Sequence, residues 1–215
     1  MFDSIRWKTF PRDFLIIQVG FLLYGLALAL IIQANLGTGA WAVLAVALAE
    51  QFGTSPGTMV ILSGLLALAA AVMLGEKIGW GTVGNMLFIG PWLDLFLRFI
   101  PLVRENIILQ LIMVLSSIML VGLASAVYIG VDAGAGPRDS LMLGVKRKTG
   151  WPLRRARGVI EILVLSIGWL LGGPVGIGTV IFSLLVGGAV QLGFRVLGVD
   201  AGRKRKNPEL AEEIS

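Results

Sequence analysis

The sequence predicts an all-α membrane protein with six transmembrane helices, arranged as two inverted three-helix repeats. Hydrophobic residues make up 56% of the 215 residues and the mean hydropathy is +0.88, far from the balance of a soluble domain. Six segments approach the roughly 20 apolar residues that a spanning helix needs. Residues 25–98 also align with residues 122–195 without a gap, at a constant offset of 97. Together these observations predict one membrane unit present twice.

The best evidence for the repeat is the order in which its glycines occur. Of the 74 aligned positions 21 are identical, but apolar composition alone makes Leu, Ala and Gly coincide often. The placement of the Gly-x-Gly pairs is stronger, because Gly37 and Gly39 lie over Gly134 and Gly136. The Gly-x-Gly-Thr-Val segment at 79–83 likewise lies over 176–180.

The predicted spans lie at 14–34, 57–74, 81–97, 107–131, 159–171 (short) and 176–199. A seventh apolar stretch, 40–49, is too short to cross a bilayer and is expected to be re-entrant or interfacial. The first span lacks a small-residue cleavage site, which favours a retained helix over a signal peptide. The chain thus divides into a cytoplasmic segment (1–13), membrane repeat 1 (14–100), membrane repeat 2 (101–199) and a basic then acidic cytoplasmic tail (200–215).

The loop charges predict the orientation. With six spans and the N-terminus inside, 16 of the 18 basic residues fall on the inner side and only Arg98 and Arg104 fall outside. This satisfies the positive-inside rule. A three-span unit reverses direction when it is duplicated, so the repeats should be inverted, as in many secondary transporters. If 40–49 and its counterpart both cross, the repeats become four-span and parallel.

The composition also excludes classes of chemistry. The chain has no cysteine and no histidine, which removes disulfides, thiol redox chemistry and any Ser-His or Cys-His nucleophile. A purely carboxylate site stays open, but only Asp94 and Glu161 lie within the predicted spans. We therefore expect no enzyme activity, no cofactor and no metal site. The net charge of +5 is divided among membrane-edge loops, so it indicates topology and not nucleic-acid binding.

Each first span runs into a glycine break. The residues expected to break the helix, or to act as gates, are Gly37, Gly39, Gly134, Gly136 and Pro137. Glycine permits backbone angles closed to other residues, and proline cannot continue a helix with full hydrogen bonding. The short helices that restart there would present free N–H groups, which attract anions. Simple turn formation explains the same pattern equally well.

Few polar residues lie in or beside the predicted spans. Glu161 is the leading pathway candidate, because a carboxylate within a span usually faces a cavity or a partner; an ion pair with Arg157, four residues earlier, is the alternative. Asp94 could be neutralised by Arg98. The further candidates for a substrate site or pathway are Asn85, Asn35, Asp132, Asp139 and Gln191.

A basic segment with an aromatic anchor occupies 146–155. Basic residues beside a membrane attract anionic lipid headgroups. The residues expected to meet them are Lys146, Arg147, Lys148, Trp151, Arg154 and Arg155.

The glycine-rich segments also resemble a known family. Leu-Gly-Thr-Gly-Ala-Trp-Ala-Val-Leu at 36–44, Gly-Thr-Ser-Pro-Gly at 53–57 and Gly-Trp-Gly-Thr-Val-Gly-Asn at 79–85 are similar to segments of the YczE-like (YczE/YyaS/YitT) bacterial integral membrane proteins. That family has Pro-Trp-Asp where repeat 1 has Ala40, Trp41 and Ala42, and repeat 2 has Pro137, Arg138 and Asp139. The resemblance covers roughly residues 12 to 199 and implies a multi-span inner-membrane protein without supplying a substrate.

The leading hypothesis is a small secondary transporter or exporter of a bacterial inner membrane, with both termini cytoplasmic. The alternative is a non-transporting structural or accessory subunit that binds lipid or another membrane protein, and a channel is a third reading. The expected partners are anionic membrane lipids, a small-molecule substrate, and further copies of the chain or a larger membrane complex; nucleic acid is not expected.

Overall fold

The part of the chain that the structure describes folds into eight α-helices and the connections between them. The computed structural model describes residues 7–198; the cytoplasmic tail predicted at 200–215 and residues 1–6 of the segment 1–13 lie outside that range. The helices are α1 (Phe10–Gln33), α2 (Ala40–Phe52), α3 (Pro56–Met73), α4 (Trp80–Phe99), α5 (Ile107–Ile129), α6 (Pro137–Thr149), α7 (Leu153–Leu170) and α8 (Ile177–Val196).

Four of these helices are long and apolar enough to cross a membrane. They are α1, α3, α5 and α8, while α2 is apolar but only 13 residues long. The predicted spans at 81–97 and 159–171 coincide with α4 and α7, whose charged residues lower their hydropathy; their crossing stays a prediction. Helix α7 starts six residues before the predicted span. Its first turns carry Arg154, Arg155 and Arg157, which a hydropathy pattern leaves out of a membrane span although arginine is a good helix former.

The helix bounds follow the sequence repeat. Adding 97 to the bounds of α2, α3 and α4 gives those of α6, α7 and α8, and α1 and α5 differ only by one residue at their ends. Each half therefore contains a long helix, a short helix of 13 residues and two further long helices. The short helix α6 also forms, in a segment that is too basic for a hydropathy pattern to mark.

The breaks after α1 and α5 have the same backbone conformation. Asn35 and Asp132 are the two described non-glycine residues with positive φ, at 55° and 56°, and they are equivalent in the repeat. Asn and Asp tolerate this left-handed conformation better than other non-glycine residues. They turn the chain where each first helix ends.

Each break contacts the opposite repeat. The N–H of Gly178, at the start of α8, donates to the carbonyl of Leu36 at 2.7 Å, and the N–H of Gly81, at the start of α4, donates to the carbonyl of Ala133 at 2.9 Å. The two hydrogen bonds join equivalent positions: in each, the start of the last helix of one repeat binds the glycine break of the other. The Gly-x-Gly segments that open α4 and α8 therefore serve close backbone approach, since a Cβ at Gly81 or Gly178 would overlap this loop.

Helices α1 and α5 form the centre of the molecule and run antiparallel. Gly20 of α1 packs against Tyr128 near the end of α5, whereas Ala27, later in α1, accepts a hydrogen bond of 2.7 Å from the hydroxyl of Ser117, earlier in α5. Helices α4 and α8 flank this pair, α4 against α1 and α8 against α5. Helices α2 and α7 pack together, as do their repeat counterparts α6 and α3.

One pair of equivalent helices breaks the symmetry. Helix α3 packs along α4, and a Cβ built on Gly90 would lie 2.5 Å from the carbonyl oxygen of Gly57. Their counterparts α7 and α8 scarcely contact each other. The second repeat is therefore open between its last two helices, where the first repeat is closed.

Candidate functional site

A cavity of about 610 Å³ lies between the two repeats. All eight helices contribute to its walls, which are mostly apolar. Sites for small organic ligands commonly fall in the range of about 300–1,000 Å³ and combine apolar walls with a few polar groups. The cavity therefore has the size and character of a ligand site.

Four charged side chains of the second repeat line the cavity, and we call them the charged cluster: Arg138 and Asp139 of α6, and Arg157 and Glu161 of α7. Arg157 Nε donates to Glu161 Oε1 at 2.9 Å. Asp139 Oδ2 accepts a long hydrogen bond of 3.4 Å from the hydroxyl of Tyr128. The cluster carries two positive and two negative charges, so it offers both donors and acceptors without a large net field.

Arg138 is held differently from the other members of the cluster. Its guanidinium carbon lies 4.9 Å from the ring centroid of Trp41, a cation–π geometry. Within residues 7–198 the guanidinium has no hydrogen-bond or ion-pair partner, and Trp41 Nε1 is the one buried side-chain donor without an acceptor. Trp41 and Arg138 are equivalent positions of the two repeats, so the two halves meet where these side chains are in contact.

Both short helices begin at the cavity. Gly39 precedes α2, Gly136 precedes α6, and both glycines line the cavity. Neither start has a side-chain cap; the first turn of α6 contains Asp139, whereas that of α2 has no acidic residue. Unsatisfied N–H groups and the helix dipole make such a start positive. The start of α2, the ring of Trp41 and the guanidinium of Arg138 thus lie together in the cavity wall.

Three predicted pathway residues meet in this cavity. Glu161, Asn85 and Asp139 all line it, as do three of the predicted break residues, Gly39, Gly136 and Pro137. They come from α4, α6, α7 and the start of α2. Glu161 both lines the cavity and forms the ion pair with Arg157 that was its alternative interpretation.

The structure uses Asp94 in another way. Its Oδ2 accepts from the hydroxyl of Ser55 at 2.5 Å and its Oδ1 accepts from the N–H of Gly57 at 2.8 Å. Among the described residues Asp94 forms no ion pair with Arg98, the partner that the sequence suggested. Asp94 joins α4 to the start of α3, away from the cavity.

The remaining predicted residues also lie away from the cavity. Asn35 and Asp132 are exposed turn residues, and Gln191 is exposed on α8. Gly37 and Gly134, with φ of 93° and 117°, lie against the starts of α8 and α4. These positions build the helix breaks and the contacts between repeats.

The predicted headgroup residues form an exposed basic edge at the end of α6 and the start of α7. Arg147 binds the carbonyl of Leu74 and forms an ion pair of 3.3 Å with Glu76, and Arg155 lies over the ring of Trp151 at 4.9 Å. Lys146, Lys148 and Arg154 are exposed. Lipid binding at this edge stays a prediction.

Sequence reasoning missed the donors contributed by Trp41 and Arg138. A signal was present, because the family pattern Pro-Trp-Asp is divided between the copies. Trp41 comes from the first repeat, Pro137 and Asp139 come from the second, and all three line one cavity. The fold thus brings the three motif positions together across the repeats. Within residues 7–198 no three acidic side chains are grouped as metal ligands.

Comparison with known proteins defines the family. A family described as "Family of unknown function (DUF6198)" matches residues 11–194, and the chain is 32% identical over 186 residues to the uncharacterized membrane protein YczE of Bacillus subtilis, covering 85% of this chain and 82% of that protein. The chain is a member of this YczE-like family.

Two other relatives also match over most of both chains. An uncharacterized protein of Haemophilus influenzae is 29% identical, with 89% of this chain and 87% of that protein covered. The uncharacterized protein YyaS of Bacillus subtilis is 27% identical, with 79% and 86% covered. No solved structure matches the chain. The YczE-like relationship and the apolar helices establish a multi-pass membrane protein.

Proposed function

We propose that this YczE-like protein is a small secondary transporter of a bacterial inner membrane, with its substrate site in the cavity between two inverted repeats. The observation that carries the proposal is the meeting of both broken-helix starts and the charged cluster in one cavity. In secondary transporters, substrate sites form at the interface of the repeats, from discontinuous helices.

Inversion is supported by the central helix pair. Helices α1 and α5 are equivalent in the repeat, yet Gly20 packs near Tyr128 while Ala27 binds Ser117. Equivalent helices that run antiparallel are related by an axis perpendicular to them. If α1 and α5 cross the bilayer, that axis lies in the membrane plane.

Six crossings are supported by the lengths of the helices. At about 1.5 Å per residue, the 20 residues of α4 and the 18 of α7 extend roughly 30 and 27 Å, close to the hydrocarbon thickness of about 30 Å. The short helices α2 and α6, with 13 residues each, extend only about 20 Å. We infer that α2 and α6 enter the membrane without crossing it, and that both termini are cytoplasmic, as the basic residues predict.

The charged cluster favours transport over a purely structural role. Ionisable side chains are costly in a membrane and are usually retained where they line a pathway or pair with one another. In the first repeat the positions of Arg157 and Glu161 hold Val60 and Gly64, so the fold itself does not require these charges. A structural or accessory subunit would have no need for a charged cavity that water can reach.

The test is the accessibility of the cavity from each side of the membrane. The chain has no cysteine, so Ser125→Cys and Asn85→Cys each introduce one thiol at the cavity wall. In proteoliposomes, we expect a small membrane-impermeant thiol reagent to modify both positions from either side as the protein exchanges between conformations.

The control is Ser63→Cys, a buried position that is not part of the cavity wall and whose hydroxyl donates to the carbonyl of Val60. This thiol should stay unmodified until the protein is denatured. If the cavity thiols were as inert as the one at position 63, the cavity would be sealed and the accessory-subunit alternative would replace transport.

A further inference from the structure

We infer that the cavity binds an anionic amphiphile, a carboxylate or phosphate head on a single apolar chain, which enters sideways from the bilayer between α7 and α8. This inference rests on the proposed function, since it names the substrate class and entry route of the same site. Two independent features support it: a guanidinium without a hydrogen-bond or ion-pair partner in the cavity wall, and an opening on one side of the cavity.

The donors define the charge of the head. The Arg138 guanidinium has no hydrogen-bond or ion-pair partner in the described part of the chain, and Trp41 Nε1 is buried without an acceptor. Both lie beside the start of α2, which has no acidic residue in its first turn. Two unsatisfied donors and a positive helix end favour a negatively charged group. The two carboxylates of the charged cluster have other partners: Glu161 is paired with Arg157, and Asp139 accepts from the hydroxyl of Tyr128.

The opening follows from what the second repeat lacks. In the first repeat, Asp94 binds Ser55 and the N–H of Gly57, which holds α3 against α4. The equivalent positions of the second repeat hold Gln191, Pro152 and Arg154. The carboxylate and the hydroxyl of this connection are therefore both absent.

The packing between the helices is missing too. In the first repeat, Gly90 lies against Ile61, but the equivalent pair is Gly187 and Gly158. A Cβ built on Gly158, Gly187 or Gly188 meets nothing within 4 Å. Helices α7 and α8 thus have space between them where the first repeat has an isoleucine, and the space opens into the cavity, since Gly158 is part of its wall.

The surroundings of the opening match an amphiphile. Ile162 and Leu165 of α7, and Val186 and Val190 of α8, line the cavity beside it and suit an apolar chain. The first two turns of α7 carry three arginines, of which Arg157 reaches the cavity. A head that leaves an anionic leaflet would meet these arginines before it reaches Arg138.

The experiment measures binding, without transport, on the full chain in nanodiscs of uncharged phosphatidylcholine. The probes are laurate and dodecyl phosphate, with dodecanol as the neutral chain, dodecylammonium as the cationic chain and butyrate as an anion with little chain. A ligand that binds only the folded state raises the unfolding temperature. We expect laurate and dodecyl phosphate to raise it, and the other three to have much smaller effects.

Two variants test the head site. Arg138→Gln should weaken laurate binding by about ten- to a hundredfold, because a charge-assisted hydrogen bond and an ionic contact are lost. Arg195→Gln, at an exposed position of α8 away from the cavity, should leave it unchanged. Trp41→Phe keeps the ring and removes the N–H, and should weaken binding severalfold even if Arg138→Gln does not fold.

One further pair tests the route. Gly158→Leu fills the opening where there is room for a side chain, and should weaken laurate binding, whereas Ser166→Leu on an exposed position of α7 should not.

Two results would overturn the head site: laurate raising the unfolding temperature equally in the wild type, Arg138→Gln and Trp41→Phe, or dodecanol raising it as much as laurate. A butyrate effect as large as that of laurate would overturn the amphiphile and indicate an anion that enters from water. Unchanged laurate binding in Gly158→Leu would overturn the entry route. Laurate binding with a cavity sealed to thiol reagents would retain the ligand and reject transport.

Discussion

At the scale of single residues, the two carboxylates of the predicted spans have different roles. Asp94 accepts two hydrogen bonds and joins α4 to the start of α3. Among the described residues, Glu161 is paired with Arg157 alone, and its side chain is 35% exposed beside the cavity. A partner three or four residues away is visible in a sequence, but Ser55 lies 39 residues from Asp94. This is why the sequence indicated Arg98 as the partner of Asp94 and missed Ser55.

The two carboxylates should therefore respond differently to amidation. Asp94→Asn replaces one acceptor oxygen by a donor and should lower the free energy of unfolding by about 1–2 kcal/mol, since bonds to charged groups are the stronger ones. Glu161→Gln should cost no more than about 0.5 kcal/mol, because half-exposed i,i+4 pairs contribute little.

The measurement is reversible unfolding in detergent, followed by helix content, for the wild type and both variants. Equal losses in Asp94→Asn and Glu161→Gln would contradict this division into a structural and a site carboxylate.

At the scale of helices, most elements could be predicted from the sequence. The apolar segments and the two glycine breaks indicated all eight helices, since hydropathy and glycine spacing are local signals. Helix α6 and the first turns of α7 are basic, so only the repeat relation could have given their bounds. The contact between α3 and α4, and its absence between α7 and α8, depends on pairs such as Gly90 and Ile61, which no local pattern marks.

This contrast predicts unequal effects of the same substitution at equivalent glycines. Gly90→Ala places a Cβ 2.5 Å from the carbonyl oxygen of Gly57, so α3 and α4 must separate. We expect a loss of about 1–3 kcal/mol, typical of overpacking. Gly187→Ala meets nothing within 4 Å and should be neutral or stabilising by up to about 1 kcal/mol, because alanine favours a helix over glycine.

The measurement is the thermal stability of Gly90→Ala and Gly187→Ala, each compared with the wild type. A Gly187→Ala variant as unstable as Gly90→Ala would mean that α7 and α8 are packed together as closely as α3 and α4.

At the scale of the whole molecule, the proposed transport function depends on the inversion of the repeats. The loop charges, the antiparallel α1–α5 pair and the exchanged hydrogen bonds of Gly81 and Gly178 all fit a six-span inverted arrangement. The cavity itself could not be predicted from sequence, because Trp41 and Arg138 meet only when the repeats are packed together. With four-span parallel repeats, equivalent positions would instead face the same side of the membrane.

The most direct measurement is therefore the sidedness of two equivalent positions. Phe52 and Thr149 end α2 and α6, lie 97 residues apart and are both exposed. In spheroplasts, a membrane-impermeant maleimide should label Phe52→Cys before permeabilisation and Thr149→Cys only after it. Labelling of both thiols from one side would contradict the inverted repeat and, with it, the transporter built upon it.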